Sequence, residues 1–159
     1  MSEVDKGRII VIDDDDGIRQ VVSTALSNKG YMIATASNGK EAIQKSQTNF
    51  YDLALIDIRL PDMDGTNLLP AMTKINPEMR KIILTGYPAL QNAIDALNTG
   101  ADGYLVKPVD IDVLLRTIEQ ELEKRREVKE YSQTKVAEYV ETRIREMDAK
   151  GYKKPGKSC

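Results

Sequence analysis

The chain contains no histidine. That excludes imidazole metal ligands, Ser-His and Cys-His nucleophile pairs, and a phosphohistidine borne on this chain, so any chemistry falls to carboxylates, Lys, Thr or Tyr. The single cysteine, Cys159, has no partner for an intrachain disulfide, which fits a reducing compartment. No run approaches the ~18 consecutive apolar residues of a membrane span, and the opening MSEVDKGR lacks the apolar segment of a secretion signal. With 23 Lys and Arg against 25 Asp and Glu, the formal net charge of −2 offers no global basic field for nucleic acid or an anionic membrane. These absences predict a soluble, cytoplasmic protein with no membrane insertion and no direct nucleic-acid contact.

What is present suits a globular fold: 159 residues, 41% hydrophobic and 30% charged. Short apolar runs alternate with longer helical patterns, the signature of βα units on a parallel sheet. Strands are expected at Arg8–Ile12, Tyr31–Ala36, Asp52–Asp57, Lys81–Leu84 and Gly103–Val106. Helices are expected at Ile18–Asn28, Asn38 to about Gln47, Leu68–Ile75 and Pro88–Asn98. Strands apolar on both faces belong in a sheet covered on each side. The expected fold is therefore α/β, a doubly wound five-stranded parallel sheet of flavodoxin-like order 2-1-3-4-5. After Val109 one helical pattern runs to about Lys150 with no Gly or Pro, a length of roughly 60 Å that exceeds a small domain. The expected organisation is a domain over residues 1–122, an extended helical arm over 123–150 and a flexible tail over 151–159. Pairs such as Glu121 with Arg125, Glu141 with Arg145 and Glu146 with Lys150 would lace the arm.

The first strand runs straight into four carboxylates, IIVIDDDDG. Crowded like charges are costly unless a cation sits among them. In a doubly wound sheet ligands bind beyond the carboxyl ends of the strands. Those ends bear Asp13 and Asp14, then Asp57, Thr85 and Lys107. Such an oxygen-rich rim suits Mg²⁺, a hard cation held by one or two carboxylates plus water and phosphate.

The motifs VIDDDD, DLALIDIRLPDMDG, ILTGY and GYLVKP, in this order and spacing, resemble the receiver domain of two-component response regulators over about residues 8–122. The resemblance implies that Asp57 accepts a phosphoryl group from a sensor histidine kinase or phosphotransfer protein in a Mg²⁺-dependent step. It implies that Asp13, Asp14, Asp57 and the backbone carbonyl of Arg59 hold the metal. Lys107 and Thr85 would contact phosphoryl oxygens, Gly86 would leave the site open, and Arg59 and Tyr87 would tune hydrolysis. Lys107-Pro108 matches a position where the family has a cis peptide. Thr85 and Tyr104 match the family's switch pair, with output through the face of the fourth helix, fifth strand and fifth helix to a downstream protein that the sequence does not name. Such a domain signals and is not an enzyme in the usual sense.

Other readings use the same residues. Asp15 and Asp16, just before a helix, suit capping and the helix dipole better than metal ligation. DMDGT matches the DxDGT of haloacid-dehalogenase-type phosphatases, with Asp62 as nucleophile and Asp64 as acid/base, but that chemistry needs the first Asp at a strand end and RLP precedes it. A turn at Asp64-Gly65, with Thr66 or Asp64 capping the next helix, is the simpler alternative. The arm suits a homodimerising coiled coil or the start of a linker in a larger multidomain regulator. Gly17 suggests a late start for the first helix.

Overall fold

The apolar runs form strands because β-branched and bulky side chains fit a pleated surface covered on both sides. The computed structural model describes residues 6–86 and 90–149. Along the chain lie β1 (Arg8–Ile12), α1 (Asp16–Asn28), β2 (Met32–Ala36), α2 (Gly39–Thr48), β3 (Leu53–Ile56), α3 (Gly65–Ile75), β4 (Arg80–Thr85), α4 (Leu90–Asn98), β5 (Gly103–Val106) and α5 (Ile111–Ala149). Neighbouring strands are parallel in the order β2-β1-β3-β4-β5, as the pattern of βα units predicts.

Alternation along each strand splits the core in two. Ile10 and Ile12 of β1, Ala54 and Ile56 of β3 and Ile83 of β4 pack with Ala42 of α2, Leu68, Leu69 and Met72 of α3 and Ala96 of α4. Ile9, Val11, Leu53, Leu55 and Ile82 face the other way, against Val22 and Leu26 of α1 and Leu114, Leu115, Ile118 and Leu122 of α5. Burying one such side chain is worth roughly 1.5–3 kcal/mol.

Helix starts depart from the spacing in two places. The first helix begins at Asp16 rather than late, because Asp15 caps it by accepting from the Ile18 N–H, and Gly17 lies inside its first turn. Helix α3 begins at Gly65 rather than Leu68, with Asp64 as its N-cap, so Pro70 is its sixth residue and lies beyond the first turn. Pro70 is tolerated because it is exposed, and water can serve the carbonyl that its missing N–H leaves free. Asn38 caps α2 as expected, accepting from the Glu41 N–H. The region around Pro88 lies outside the described residues.

The chain divides into two compact units, Met1–Leu122 and Glu123–Cys159. In the second, the described residues are helical, and Val128, Tyr131, Val136, Tyr139, Val140, Ile144 and Met147 are all exposed. Glu141 pairs with Arg145, as the spacing predicts, and Glu146 pairs with Arg143. Lys150 and the tail at 151–159 lie outside the described residues. In the first unit Glu121 is buried and takes Arg80 as partner, a tertiary pairing that i,i+4 spacing does not disclose.

Candidate functional site

Register builds the site. Ile12 pairs with Ile56, so the residues that follow, Asp13 and Asp57, emerge side by side at the carboxyl rim. Their backbones are pinned: Asp13 N–H donates to the Ala36 carbonyl at 3.1 Å and Asp57 N–H to the Ile12 carbonyl at 2.9 Å. Thr85 pairs with Val106, so Lys107 follows one step past the end of β4, and its N–H donates to the Thr85 carbonyl at 2.8 Å. With strands ~4.8 Å apart, Lys107 must reach across β4 to β3 and β1, a span that suits its long stem.

It does reach them. The Lys107 Nζ lies 2.6 Å from Asp13 Oδ2 and 3.4 Å from Asp57 Oδ2. Asp13, Asp14 and Asp57 each present an oxygen within 4.8 Å of the others, with Asp13 and Asp57 buried and Asp14 exposed. Three carboxylates against one ammonium leave a formal charge of −2, which one dication would match. The donor set is all oxygen and partly open to water, so the residues fit Mg²⁺. Asp15, by contrast, is engaged as the α1 cap, and Asp16 pairs with Arg19.

Burial and neighbouring charge both act on Asp57 and Lys107. Burial pushes the Asp57 carboxyl above its ordinary value; the charge of Lys107 opposes this, and the neighbouring Asp13 charge reinforces it. Burial alone would push Lys107 down, but its hydrogen bond to Asp13 and the charges of Asp13 and Asp57 outweigh it and hold the ammonium above its ordinary range. The shorter contact assigns the lysine chiefly to Asp13, leaving Asp57 with the weaker partner. Asp57 Oδ1 also lies 3.4 Å from the Arg59 N–H.

Thr85 is fully buried at the end of β4, between the strands that carry Asp57 and Lys107. Beside it, a Cβ at Gly86 would meet nothing within 4 Å among the described residues. Tyr104 pairs in register with Ile83, two residues before Thr85 on β4, so Thr85 and Tyr104 share a sheet face. The Tyr104 ring is half-buried against the core, and burial raises its phenol pKa. Lys107-Pro108 is cis. Tyr87 lies outside the described residues.

The residues of DMDGT are engaged elsewhere. Asp64 caps α3, accepting from the Thr66 N–H at 2.9 Å and its hydroxyl at 2.8 Å. Asp62 accepts from the N–H groups of Gly39 and Lys40 at the start of α2. Gly65 has a role that sequence reasoning missed. A Cβ there would lie 2.3 Å from the Asp57 carbonyl oxygen, so only glycine lets α3 start against the backbone of Asp57. The Asp-Gly pair was its one signal, and a turn explains that pair equally well.

Residues 9–119 match the family described as response regulator receiver domain. The chain is 37% identical over 114 residues to the transcriptional regulatory protein ZraR of Escherichia coli (strain K12), a match covering 72% of this chain and 26% of that protein. It thus spans about a quarter of the length of the curated relatives it matches. A CheY-like response regulator receiver domain protein from Methanospirillum hungatei JF-1 superposes with a TM-score of 0.74 at 41% identity, over 76% of this chain and 96% of that one. The beryllofluoride-activated NtrC4 receiver domain dimer superposes with a TM-score of 0.71 at 30% identity, over 74% and 98%.

Proposed function

This chain belongs to the response regulator receiver domain family of two-component systems, and from that premise we propose that Asp57 is its phosphoacceptor. One observation carries the reading: Lys107, on the far side of β4, reaches both Asp13 and Asp57 beside the third carboxylate, Asp14. The donor is a phosphohistidine on a sensor kinase or phosphotransfer protein. An Asp57 carboxylate oxygen forms a bond to phosphorus, the phosphorus–nitrogen bond breaks, and the electron pair leaves with the imidazole, giving an acyl phosphate on Asp57.

Asp13, Asp14, Asp57 and the Arg59 carbonyl would hold Mg²⁺, whose charge masks the repulsion between carboxylate and phosphate. Lys107 offers a fixed positive charge to one phosphoryl oxygen, and the Thr85 hydroxyl donates to another. Gly86 leaves room for the incoming group, while Arg59 and Tyr87, two residues beyond Asp57 and Thr85 in the sequence, are assigned the tuning of acyl-phosphate hydrolysis. An apolar groove of about 570 Å³ lined by Ile18, Val21, Leu84 and Val109 shares its edge with Lys107. A donor protein delivering a phosphoryl group to the rim would cover it.

Output follows from Thr85 turning toward the phosphoryl oxygens and Tyr104 moving into the space it leaves. The surface so altered, α4-β5-α5, exposes Ile94, Leu97 and Val106, an apolar surface for a downstream protein partner. The chemistry is self-phosphorylation and slow hydrolysis, a cytoplasmic signalling device rather than a multiple-turnover enzyme. The arm from Glu123 is read as a homodimerising or linker segment, without direct nucleic-acid contact.

Mass spectrometry of protein incubated with Mg²⁺ and an acyl-phosphate donor tests this. One phosphoryl group per chain, lost in Asp57→Asn, is expected. Multiple turnover on small phosphate esters that disappears in Asp62→Asn would instead mark a phosphatase and reject the reading.

A further inference from the structure

The loop that follows β3 is tied to a neighbouring helix by one of its own residues, which the proposed reaction does not use. Inside the loop, Gly65 N–H donates to the Ile58 carbonyl at 2.5 Å, Leu60 N–H donates to the Met63 carbonyl at 3.2 Å, and Arg59 bridges Asp64. These bonds close the loop on itself but do not set how it lies on the rest of the domain.

Ile58 and Leu60, on either side of Arg59, are buried in the core, and Asp62, at the tip, adds a polar tie to a neighbouring helix. Its Oδ1 accepts from the Gly39 N–H at 2.8 Å and its Oδ2 from the Lys40 N–H at 2.9 Å. These are the first two amides of α2, which have no acceptor within the helix. The helix's own cap, Asn38, serves the next amide, that of Glu41. A carboxylate from 22 and 23 residues downstream thus completes the first turn of α2, with the helix dipole favouring its charge. The two amides hold the Asp62 carboxyl below the ordinary carboxylate range. Next along the loop, Met63 fills the space beside Gly39, where a Cβ would lie 2.4 Å from the methionine sulfur. Two consecutive loop residues therefore grip one helix end.

We propose that Asp62 is a positioning residue for the acceptor site: its two-pronged cap on α2 sets the pose of the loop that carries the Arg59 carbonyl. The inference rests on the reading of Asp57 and Arg59 given above. Asp57 is fixed independently, by its backbone bond to Ile12. Loosening the loop therefore leaves the acceptor in place and displaces the carbonyl. Mg²⁺ demands near-ideal octahedral geometry, so a displaced ligand weakens binding.

Calorimetric titration of Mg²⁺ into wild type, Asp62→Ala, Asp62→Asn and Asn38→Ala decides the matter. Asn38→Ala removes a cap from the same helical turn without touching the loop, so it should lose stability and bind magnesium as wild type does. Asp62→Ala should bind about tenfold more weakly, the scale found for groups that orient metal ligands. Its Gly39 and Lys40 amides should exchange faster with deuterium. Asp62→Asn, keeping one acceptor oxygen, should fall between, and it carries the comparison if the alanine variant does not fold. Labelling of Asp62→Ala by an acyl-phosphate donor should slow at low magnesium and recover when magnesium saturates. Magnesium affinity equal to wild type in a folded Asp62 variant overturns the proposal. If the wild type takes no label, the acceptor reading fails by itself, and the magnesium comparison still decides the role of Asp62.

Discussion

Lys81 is only 4% exposed, with its ammonium donating to the Met79 carbonyl at 2.9 Å. Burial pushes its pKa down; the Asp102 charge opposes this and the Arg80 charge adds to it. Since the unfolded chain then binds the proton more tightly than the folded one, stability rises as pH climbs through the window between the depressed value and the ordinary ~10.4. The cost is greatest below that window. Lys81→Met should therefore be more stable than wild type at pH 7, by on the order of 1 kcal/mol. The advantage should vanish above the ordinary lysine value, where both states of the wild type carry a neutral amine. Urea unfolding of both proteins at neutral and strongly alkaline pH checks this, and an advantage independent of pH would contradict it.

Between elements, Arg80 links β4, the approach to β5 and α5. Its Nε and Nη2 donate to Glu121 Oε2 at 3.1 and 2.7 Å, and its Nη1 lies 3.5 Å from Asp102 Oδ1. Glu121 is buried, so removing it strands part of a guanidinium that is itself mostly covered. Glu121→Ala should cost about 1–3 kcal/mol in chemical denaturation. Glu141→Ala, in an exposed pair on the same helix, should cost only a few tenths. Equal losses would mean that water already serves Arg80.

For the molecule as a whole, the two units differ in how they satisfy their apolar residues. The first buries its own in two layers. The second leaves Val136, Tyr139, Val140 and Ile144 exposed on its helical segment, and most helical stability in proteins comes from packing an apolar face. A second copy of the arm is the simplest cover. Sedimentation should show a dimer for the full chain and a monomer for residues 1–122. Equal monomer masses would remove the dimer, and a full chain whose helix content equals that of residues 1–122 would show that the arm does not fold alone.

Strand order and the convergence of Asp13, Asp57, Thr85 and Lys107 on one rim were legible in the linear sequence. Apolar runs alternating with helical periods leave few topologies, and right-handed crossovers bring every strand's carboxyl end to the same edge. Local caps were equally legible: Asp15, Asn38 and Asp64 each serve amides within three residues. Tertiary packing alone decided the partners of Asp62, Gly65, Arg80 and Glu121. Asp62 bonds a helix start 22 and 23 residues away, Gly65 faces the Asp57 backbone, and Arg80 meets Glu121 across 41 positions. Periodicity fixes which way a side chain points along its own element. It cannot say which element is packed opposite, because that depends on distances set only when the layers close.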